Sequence, residues 1–397
     1  MKLNKWTLGL AAAGVVSLGS VAYAEEKPMS QVLTGVSGTQ LGGYVDASAI
    51  WNTGTGNANL PGRAFDGVGK LDGFNLNVVD VTLQKVPGED NWAAGFRTDL
   101  LFGPDAVGYD LSVGNNGLVS NNSDFGIKQA YVDLVLPVGS GWDFKLGTFN
   151  SIVGYEVFES YKNPNYSRSY GWQLEPSQHT GLLTSYEFAE GFSLTGGIAN
   201  TYMAGVNTRS GRDIESQKAY MASLGLTAPE SWGVMAGSGL YAGFVTGFDA
   251  NTKNTALYYV GATIKTGVEG FSFGAAFDYR ENGPSTVTTG DTWAWAAAGY
   301  LTYAATEHLK FIGRLDFTKG TDGTWYDIDG DGVVTKENKL VSATGTIQYD
   351  LWANVISRLE IRWDHSASGD EAFGGEVAGD PTDENAVTVA ANLVYVF

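Results

Sequence analysis

The chain has 397 residues, no cysteine and a formal net charge of −19, with 54 glycines, 11 tryptophans, 20 tyrosines and 19 phenylalanines. The lack of cysteine excludes disulfides and cysteine-ligated metal sites, and 24 basic against 43 acidic residues argue against a nucleic-acid partner. Abundant glycine and aromatic residues with few charges favour strands and turns over helices.

The N-terminus has the features of an export signal. Lys2 and Lys5 precede an apolar run at 7–21, and Ala22-Tyr23-Ala24 fits the small-x-small cleavage rule. A transmembrane anchor is the alternative, but the run is short for one. We expect residues 1–24 to be removed, residues 25–40 to form a short periplasmic segment and residues 41–397 to form a single domain. Removal changes the net charge from −19 to −21, because the signal carries two lysines and no acid.

Apolar and polar residues alternate along most of the remaining chain, as expected for strands whose side chains point alternately to two faces. In the last segment, Val387, Val389, Ala391, Leu393 and Tyr395 share one face. The pattern predicts sixteen strands, near 43–52, 71–86, 91–103, 124–136, 141–151, 179–188, 191–202, 217–227, 233–247, 255–266, 269–281, 291–304, 307–319, 339–350, 354–367 and 385–397.

Long and short connections alternate between these strands, with eight long and seven short. Alternation of residues alone would also fit a soluble sandwich with one wet face. Alternation of connection lengths favours an all-β, antiparallel up-and-down barrel in the outer membrane of a Gram-negative-type cell, with short periplasmic turns and long external loops. A sheet in lipid must close, because lipid offers its edges no hydrogen-bond partners.

The carboxy terminus and several internal segments resemble known outer-membrane proteins. The final strand ends in Phe397, which resembles the signal read by the barrel assembly machinery. Segments that resemble the OmpL-like β-barrel porin family lie at 43–48, 74–77, 95–103, 129–131, 154–156, 165–169 and 179–181. The resemblance implies an outer-membrane pore, without a catalytic residue and with little indication of the solute. Porins with sixteen strands often form homotrimers, so the resemblance also implies a homotrimer.

The third long connection, 152–178, mixes charges with aromatic side chains. By analogy of position with general porins, we expect it to fold into the lumen and narrow it. Its proposed constriction residues are Glu156, Glu159, Lys162 and Arg168. The alternative is a loop packed on the barrel rim with its charges in solvent.

Charges of both signs fall on the predicted inward face of the strands. A dry core could not hold them without a large desolvation cost, so they argue for a water-filled or heavily hydrogen-bonded lumen. Each one could brace the wall rather than contact a solute. The proposed pore-wall residues are Asp46, Arg97, Asp99, Lys145, Asp278, Arg280, Arg314, Asp316, Arg358, Glu360 and Arg362, and Asp80, Asp133, Glu187, Lys265 and Asp364 share their face.

The seventh external loop contains a DxDGDG segment that resembles a calcium-binding loop. Its proposed ligands are Asp327, Asp329, Asp331, the Val333 carbonyl, Thr335 and Asn338. The last position departs from the pattern, because a chelating glutamate is expected there. A merely acidic turn is the alternative to a structural calcium site.

These patterns predict a passive diffusion pore for small hydrophilic solutes, with outer-membrane lipid around it. The alternative is a structural or adhesive barrel with a closed lumen and calcium-binding external loops. An enzyme is disfavoured, because the three histidines fall at different strand ends without a nucleophile motif. The excess acid lies in the loops, with six acidic and no basic residues at 370–384, so we expect the external mouth to attract cations.

Overall fold

A computed structural model of the protein shows a closed barrel. It describes residues 38–54, 58–63, 70, 72–88, 92–106, 124–202, 205–210, 216–248, 254–283, 291–327 and 336–397. The strands are β1 (Gln40–Thr53), β2 (Gly73–Lys85), β3 (Ala93–Phe102), β4 (Phe125–Leu136), β5 (Trp142–Asn150), β6 (Gln178–Ala189), β7 (Phe192–Ala199), β8 (Ala219–Thr227), β9 (Gly239–Phe248), β10 (Asn254–Lys265), β11 (Phe271–Asn282), β12 (Thr292–Ala304), β13 (Leu309–Thr321), β14 (Glu337–Trp352), β15 (Val355–Ser366) and β16 (Asn385–Val396).

Every strand pairs antiparallel with its sequence neighbours, and β1 pairs with β16 to close the barrel. Beyond the last paired strand residue, Phe397 still exchanges two backbone hydrogen bonds with Gly43, with N···O distances of 2.9 and 3.0 Å. The predicted sixteen-stranded antiparallel barrel is therefore confirmed. Among the described residues, no helix is long and apolar enough to cross a membrane.

One predicted strand begins later than expected. The sequence pattern places the ninth strand at 233–247, but β9 begins at Gly239 and Glu230–Met235 form a 3-10 turn. Gly233 and Gly237 adopt φ angles of 60° and 77°, in a region that strands do not use. The apolar residues of this turn imitate strand alternation, although the backbone there is not extended.

Strand β15 shows how the two faces of the wall differ. Its outward side chains are large, apolar and exposed: Leu359, Ile361 and Trp363. Its inward side chains are charged and almost fully buried: Arg358, Glu360, Arg362 and Asp364. In a soluble protein this arrangement would be inverted, so the outward face matches lipid and the inward face needs polar partners inside the barrel.

Candidate pore constriction

The third external loop, residues 151–177 between β5 and β6, lies inside the barrel; we call it L3. It contains a 3-10 turn at Ser160–Lys162 and a short helix, α1, at Tyr170–Leu174. L3, which the structure describes in full, exposes only Gln173. Its contacts reach β1, β4 and β11 to β15, so the loop crosses the lumen rather than resting on the rim.

Three buried arginines on β13 and β15 hold the main chain of L3. Arg314 Nη1 donates to the Ser167 carbonyl at 2.8 Å. Arg358 donates to the carbonyls of Ser160 and Asn163 at 2.9 and 2.8 Å. Arg362 Nη1 donates to the Arg168 carbonyl at 2.5 Å. We call Arg314, Arg358 and Arg362 the arginine anchor.

Carboxylates compensate the charges of Arg314 and Arg362 in the arginine anchor. Arg314 pairs with Glu156 of L3 and with Asp316 of its own strand, each at 3.0 Å. Arg362 pairs with Asp364 at 2.7 Å. Each of these side chains is at most 1% exposed. Solvent therefore weakens the attraction between the paired charges only slightly.

Glu360 completes the attachment by accepting from L3 instead of donating to it. Its two carboxylate oxygens accept the backbone N–H groups of Tyr166 and Ser167 at 2.7 and 2.9 Å. On the neighbouring wall, Asp46 accepts a hydrogen bond from the Ser160 hydroxyl. The barrel wall thus satisfies the polar backbone groups of a buried loop, as a buried loop requires.

The predicted constriction residues have different surroundings. Glu159 pairs with Lys128 at 2.6 Å, and Arg168 donates to the carbonyls of Tyr166 and Phe158 within L3. Burial opposes ionisation of Glu159, but the charges of Lys128 and Lys162 hold its pKa well below the usual range. Glu156 and Glu159 are therefore joined to the wall, and Arg168 braces the loop itself.

Lys128 was missed by the sequence pattern, and a β-bulge explains why. Strict alternation places Lys128 on the lipid face with the exposed Val132 and Leu134. In the register of β3 and β4, Asp99 pairs with Gln129 and the next pair skips Lys128. The extra residue turns the lysine inward, as bulges re-aim side chains.

The first external loop also contributes charges that the sequence reasoning missed. Arg63 Nη1 pairs with Asp364 at 2.8 Å, and its Nη2 donates to Thr388. Lys70 pairs with Asp105, and both come from connections rather than strands. No strand periodicity marks loop residues as inward-facing, so only the folded chain could show them.

A pocket borders L3 on the side of the barrel that has short turns. It lies between L3 and the beginnings of β11 and β13. Tyr155 of L3 borders it and stacks on Tyr300 with ring centroids 4.3 Å apart. A small recess therefore borders L3 on this side.

Near β3, two basic side chains keep part of their surface in contact with solvent. The side chains of Arg97 and Lys162 are each 27% exposed, whereas their acidic partners Asp99 and Glu159 are 1% and 5% exposed. Asp99 also accepts from Thr82 and Gln129. Asp99 and Glu159 are thus almost fully buried beside cations that remain partly exposed.

The other predicted wall residues are placed inward as well. Burial together with the charges of Asp278 of β11 and Glu156 raises the pKa of Glu175 in L3. Lys145 lies 3.8 Å from Asp143, and Arg280 is partly exposed. The structure brings Asp278 to L3 but keeps Lys145 and Arg280 away from the arginine anchor.

Most of the predicted calcium loop lies outside the described residues, including Asp329, Asp331, Val333 and Thr335. Asn338 is buried at the start of β14, and its Nδ2 donates to the Tyr326 carbonyl at 2.6 Å. Its Oδ1 has no hydrogen-bond partner among the residues that the structure describes.

Comparisons with known proteins agree with this architecture. The family described as "Putative beta-barrel porin-2, OmpL-like" matches residues 38–397. Among solved structures, the trimer form of in-vitro folded OmpT of Vibrio cholerae has 11% identity and a TM-score of 0.57, covering 90% of this chain and 99% of that one. The anion-selective porin from Comamonas acidovorans has 12% identity, the same TM-score of 0.57 and the same coverage. Salmonella typhi OmpF in complex with daunomycin has 14% identity and a TM-score of 0.54, covering 90% and 97%. No curated protein sequence matches the chain.

Proposed function

Because the chain belongs to the OmpL-like porin-2 family and is an outer-membrane β-barrel porin, we propose that it is a passive diffusion pore for small hydrophilic solutes and ions. The observation that carries this proposal is L3, held by the arginine anchor inside a lumen lined with polar and charged side chains. A loop fixed in this way narrows the lumen without closing it, so solutes are sorted by size and charge.

The path for a solute runs beside L3 and not through its anchored side. Arg314, Arg362 and Ser167 are almost completely buried where L3 meets β13 and β15, so the loop packs against the wall there. Arg97 and Lys162 on the opposite side keep contact with solvent. We place the narrowest passage between L3 and the wall near β3.

A structural or adhesive barrel with a closed lumen is the second candidate. The near-complete burial of L3 favours it, since a loop this well packed could block the barrel. The two functions differ in one measurable property, because only the pore carries current.

Planar-bilayer recording of the folded protein tests the proposal. Heat-modifiable migration in detergent gels establishes that the barrel is folded before recording. We expect stable, small conductance steps, because L3 leaves only a narrow path. A folded protein without steps would support the closed barrel. A variant with L3 shortened between Ser160 and Tyr170 then serves as the positive control, because removing the obstruction should give large steps.

We also propose homotrimer formation and recognition by the barrel assembly machinery. The trimer form of the Vibrio cholerae structure supports the first, and the position of Phe397 at the seam of the barrel supports the second. Native mass spectrometry in detergent tests the trimer. Deletion of Phe397 should lower the yield of assembled barrel in the outer membrane, and an unchanged yield would contradict the second proposal.

A structural calcium ion in the seventh loop is a further proposal. The buried Asn338 Oδ1 supports it, because this oxygen faces no hydrogen-bond donor among the described residues. Calorimetric titration of calcium into the mature protein and into the Asp329→Ala variant tests it. Equal heats in the two proteins would reject the site.

A further inference from the structure

We propose that the turn between β8 and β9, residues 228–238, docks into the periplasmic leaflet of the outer membrane and extends the lipid-facing wall where its strands are shortest. The partner is a phospholipid surface, which the apolar side chains of the turn enter. This inference goes beyond the proposed pore function, because it concerns the lipid around the barrel and not the solute in the lumen.

Backbone hydrogen bonds give the β8–β9 turn a defined shape. At its base, the Gly237 N–H donates to the Ala228 carbonyl and the Ala228 N–H donates to the Ser238 carbonyl, both at 2.8 Å. Within the turn, the Trp232 N–H donates to the Pro229 carbonyl at 3.0 Å. The turn therefore presents its side chains from a fixed backbone, so that docking costs little further conformational entropy.

The 3-10 segment of this turn, Glu230–Met235, has no buried residue. Three of its side chains are large and apolar: Trp232 is 53% exposed, Val234 is 68% exposed and Met235 is 37% exposed. An ordered segment that leaves an indole ring and two aliphatic side chains in the open has the character of an interaction surface. Tryptophan is also the side chain that membrane interfaces favour, because its ring is apolar and its N–H is polar.

The exposed side chains of the turn continue the lipid-facing surface of the adjacent strands. Leu240 of β9 and Ile264 of β10 are exposed on the outer face of the wall. Val268, in the turn between β10 and β11, is exposed as well, and a Cβ atom at Gly267 would lie 3.6 Å from Val234. Apolar side chains thus extend from the wall onto two neighbouring turns, and lipid is the partner that already covers this wall.

The charges beside the two turns favour apolar contact over attraction to lipid charge. Glu230 begins the 3-10 segment and is exposed, and Glu269 follows Val268 and is exposed. Lys265 at the end of β10 is the basic residue beside them. Two acids against one base give no net attraction to an anionic surface, so burial of the apolar side chains must supply the binding energy.

The strands next to the β8–β9 turn are short for a membrane span. β7 has 8 residues and β8 has 9, whereas β10 to β16 have 12 to 16 residues each. At about 3.3 Å per residue and a tilt of about 40°, β7 and β8 cover about 20 to 23 Å of membrane height, less than the ~25 Å apolar band of such barrels. Apolar side chains on the turn that follows β8 add height where the wall is low.

Single-cysteine labelling tests the contact, since the chain has no cysteine of its own. A nitroxide label is attached to Trp232→Cys in the full mature barrel, reconstituted in vesicles of phosphatidylethanolamine and phosphatidylglycerol. Leu240→Cys on the outer wall is the lipid control, and Glu190→Cys in the β6–β7 turn is the water control. We expect the ratio of oxygen to nickel-chelate accessibility at position 232 to be several times higher than at position 190 and close to that at position 240.

Two outcomes of this labelling would overturn the proposal. Nickel-chelate accessibility at position 232 equal to that at position 190 would place the turn in water. Protection from both reagents would mean that a protein surface, from a partner or from a second copy of the chain, covers the turn. Val234→Cys provides the same measurement if heat-modifiable migration shows that Trp232→Cys does not fold. The labelling needs no current, so it gives its answer whether or not the barrel conducts.

Bilayer thickness tests whether the turn compensates for short strands. Urea unfolding is compared in vesicles of dilauroyl and dioleoyl phosphatidylcholine, which form a thin and a thick bilayer. We expect Val234→Asp to lower the unfolding midpoint more in the thick bilayer, where the new charge lies nearer the acyl chains. Val86→Asp is the matched control, because Val86 is an exposed valine in the turn after the 13-residue strand β2. Equal dependence on thickness in the two variants would overturn the proposal.

Discussion

The two sides of L3 use the same residue types in opposite ways. On the side of β13 and β15, arginines that are at most 3% exposed bind backbone carbonyls of the loop. On the side of β3, Arg97 and Lys162 remain 27% exposed. A charge inside a barrel therefore does not by itself mark a solute contact. Its burial and its partners decide whether it supports the structure or meets the solute.

The difference has an energetic consequence. A buried cation that already has a carboxylate and two or three acceptors cannot be removed without leaving those partners unpaired in a low-dielectric interior. An exposed cation leaves groups that water can solvate, so its removal costs little stability. Substitutions on the two sides of L3 should consequently separate folding from selectivity.

The largest effect should come from Arg314→Met. The substitution keeps much of the side-chain volume but leaves Glu156 and Asp316 without their shared cation and frees the Ser167 carbonyl. We expect a loss of about 3–5 kcal/mol in the free energy of unfolding, as for other broken buried ion pairs. Urea unfolding of the detergent-folded barrel, followed by tryptophan fluorescence, measures it.

The same variant should also conduct differently. Detachment of L3 from β13 widens the lumen, so single-channel steps should become larger and noisier than those of the wild type. A variant with unchanged stability and unchanged steps would mean that Arg314 does not anchor L3.

Whether the sequence could predict the position of a charged residue depends on the part of the chain in which that residue lies. The period of two in the strands predicts the inward position of Arg314, Arg358 and Arg362, because the wall alternates without interruption there. It fails at Lys128, where a bulge changes the register, and it is silent on Arg63, which belongs to a loop. Which inward charges are satisfied and which are exposed depends on the course of L3, and no local pattern determines that course.

Glu360→Gln should have the second largest effect. Both oxygens of Glu360 accept backbone N–H groups of L3, and an amide replaces one acceptor by a donor that faces another donor. We expect a loss of about 1.5–3 kcal/mol in the free energy of unfolding, the range for a hydrogen bond to a charged group. Urea unfolding of Glu360→Gln is compared with that of the control Glu190→Gln, which alters an exposed turn residue.

If the two variants unfold at the same urea concentration, Glu360 does not hold L3. Equal stability together with altered conductance would instead place Glu360 at the solute path.

The pH dependence should differ between the two ends of L3. Burial and the charges of Asp278 and Glu156 raise the pKa of Glu175, so its contribution to stability is complete below the ordinary glutamate pKa and is lost as pH rises through the raised value. Lys128 and Lys162 lower the pKa of Glu159 against the effect of burial, so its contribution is lost only as pH falls. We expect the end of L3 near Glu175 to loosen as pH rises from 5 to 9.

Hydrogen exchange of the L3 amides across that pH range, corrected for intrinsic exchange rates, measures this loosening. Glu175→Gln should remove the dependence, because an amide cannot ionise, while the protection near Glu159 should stay constant over the same range. Identical pH profiles for Glu175→Gln and wild type would contradict the assignment.

The smallest effect should come from Lys319→Gln, because Lys319 belongs to an exposed ion pair and not to a buried one. Lys319 pairs with Glu337 at 2.7 Å, a shorter contact than those between Arg314 and its carboxylates, yet both side chains are substantially exposed. Distance alone would rank this pair as the stronger one. Solvent screening reverses the ranking, so we expect a change of less than about 1 kcal/mol in the free energy of unfolding. A loss comparable to that of Arg314→Met in the same urea titration would show that burial does not control the strength of these pairs.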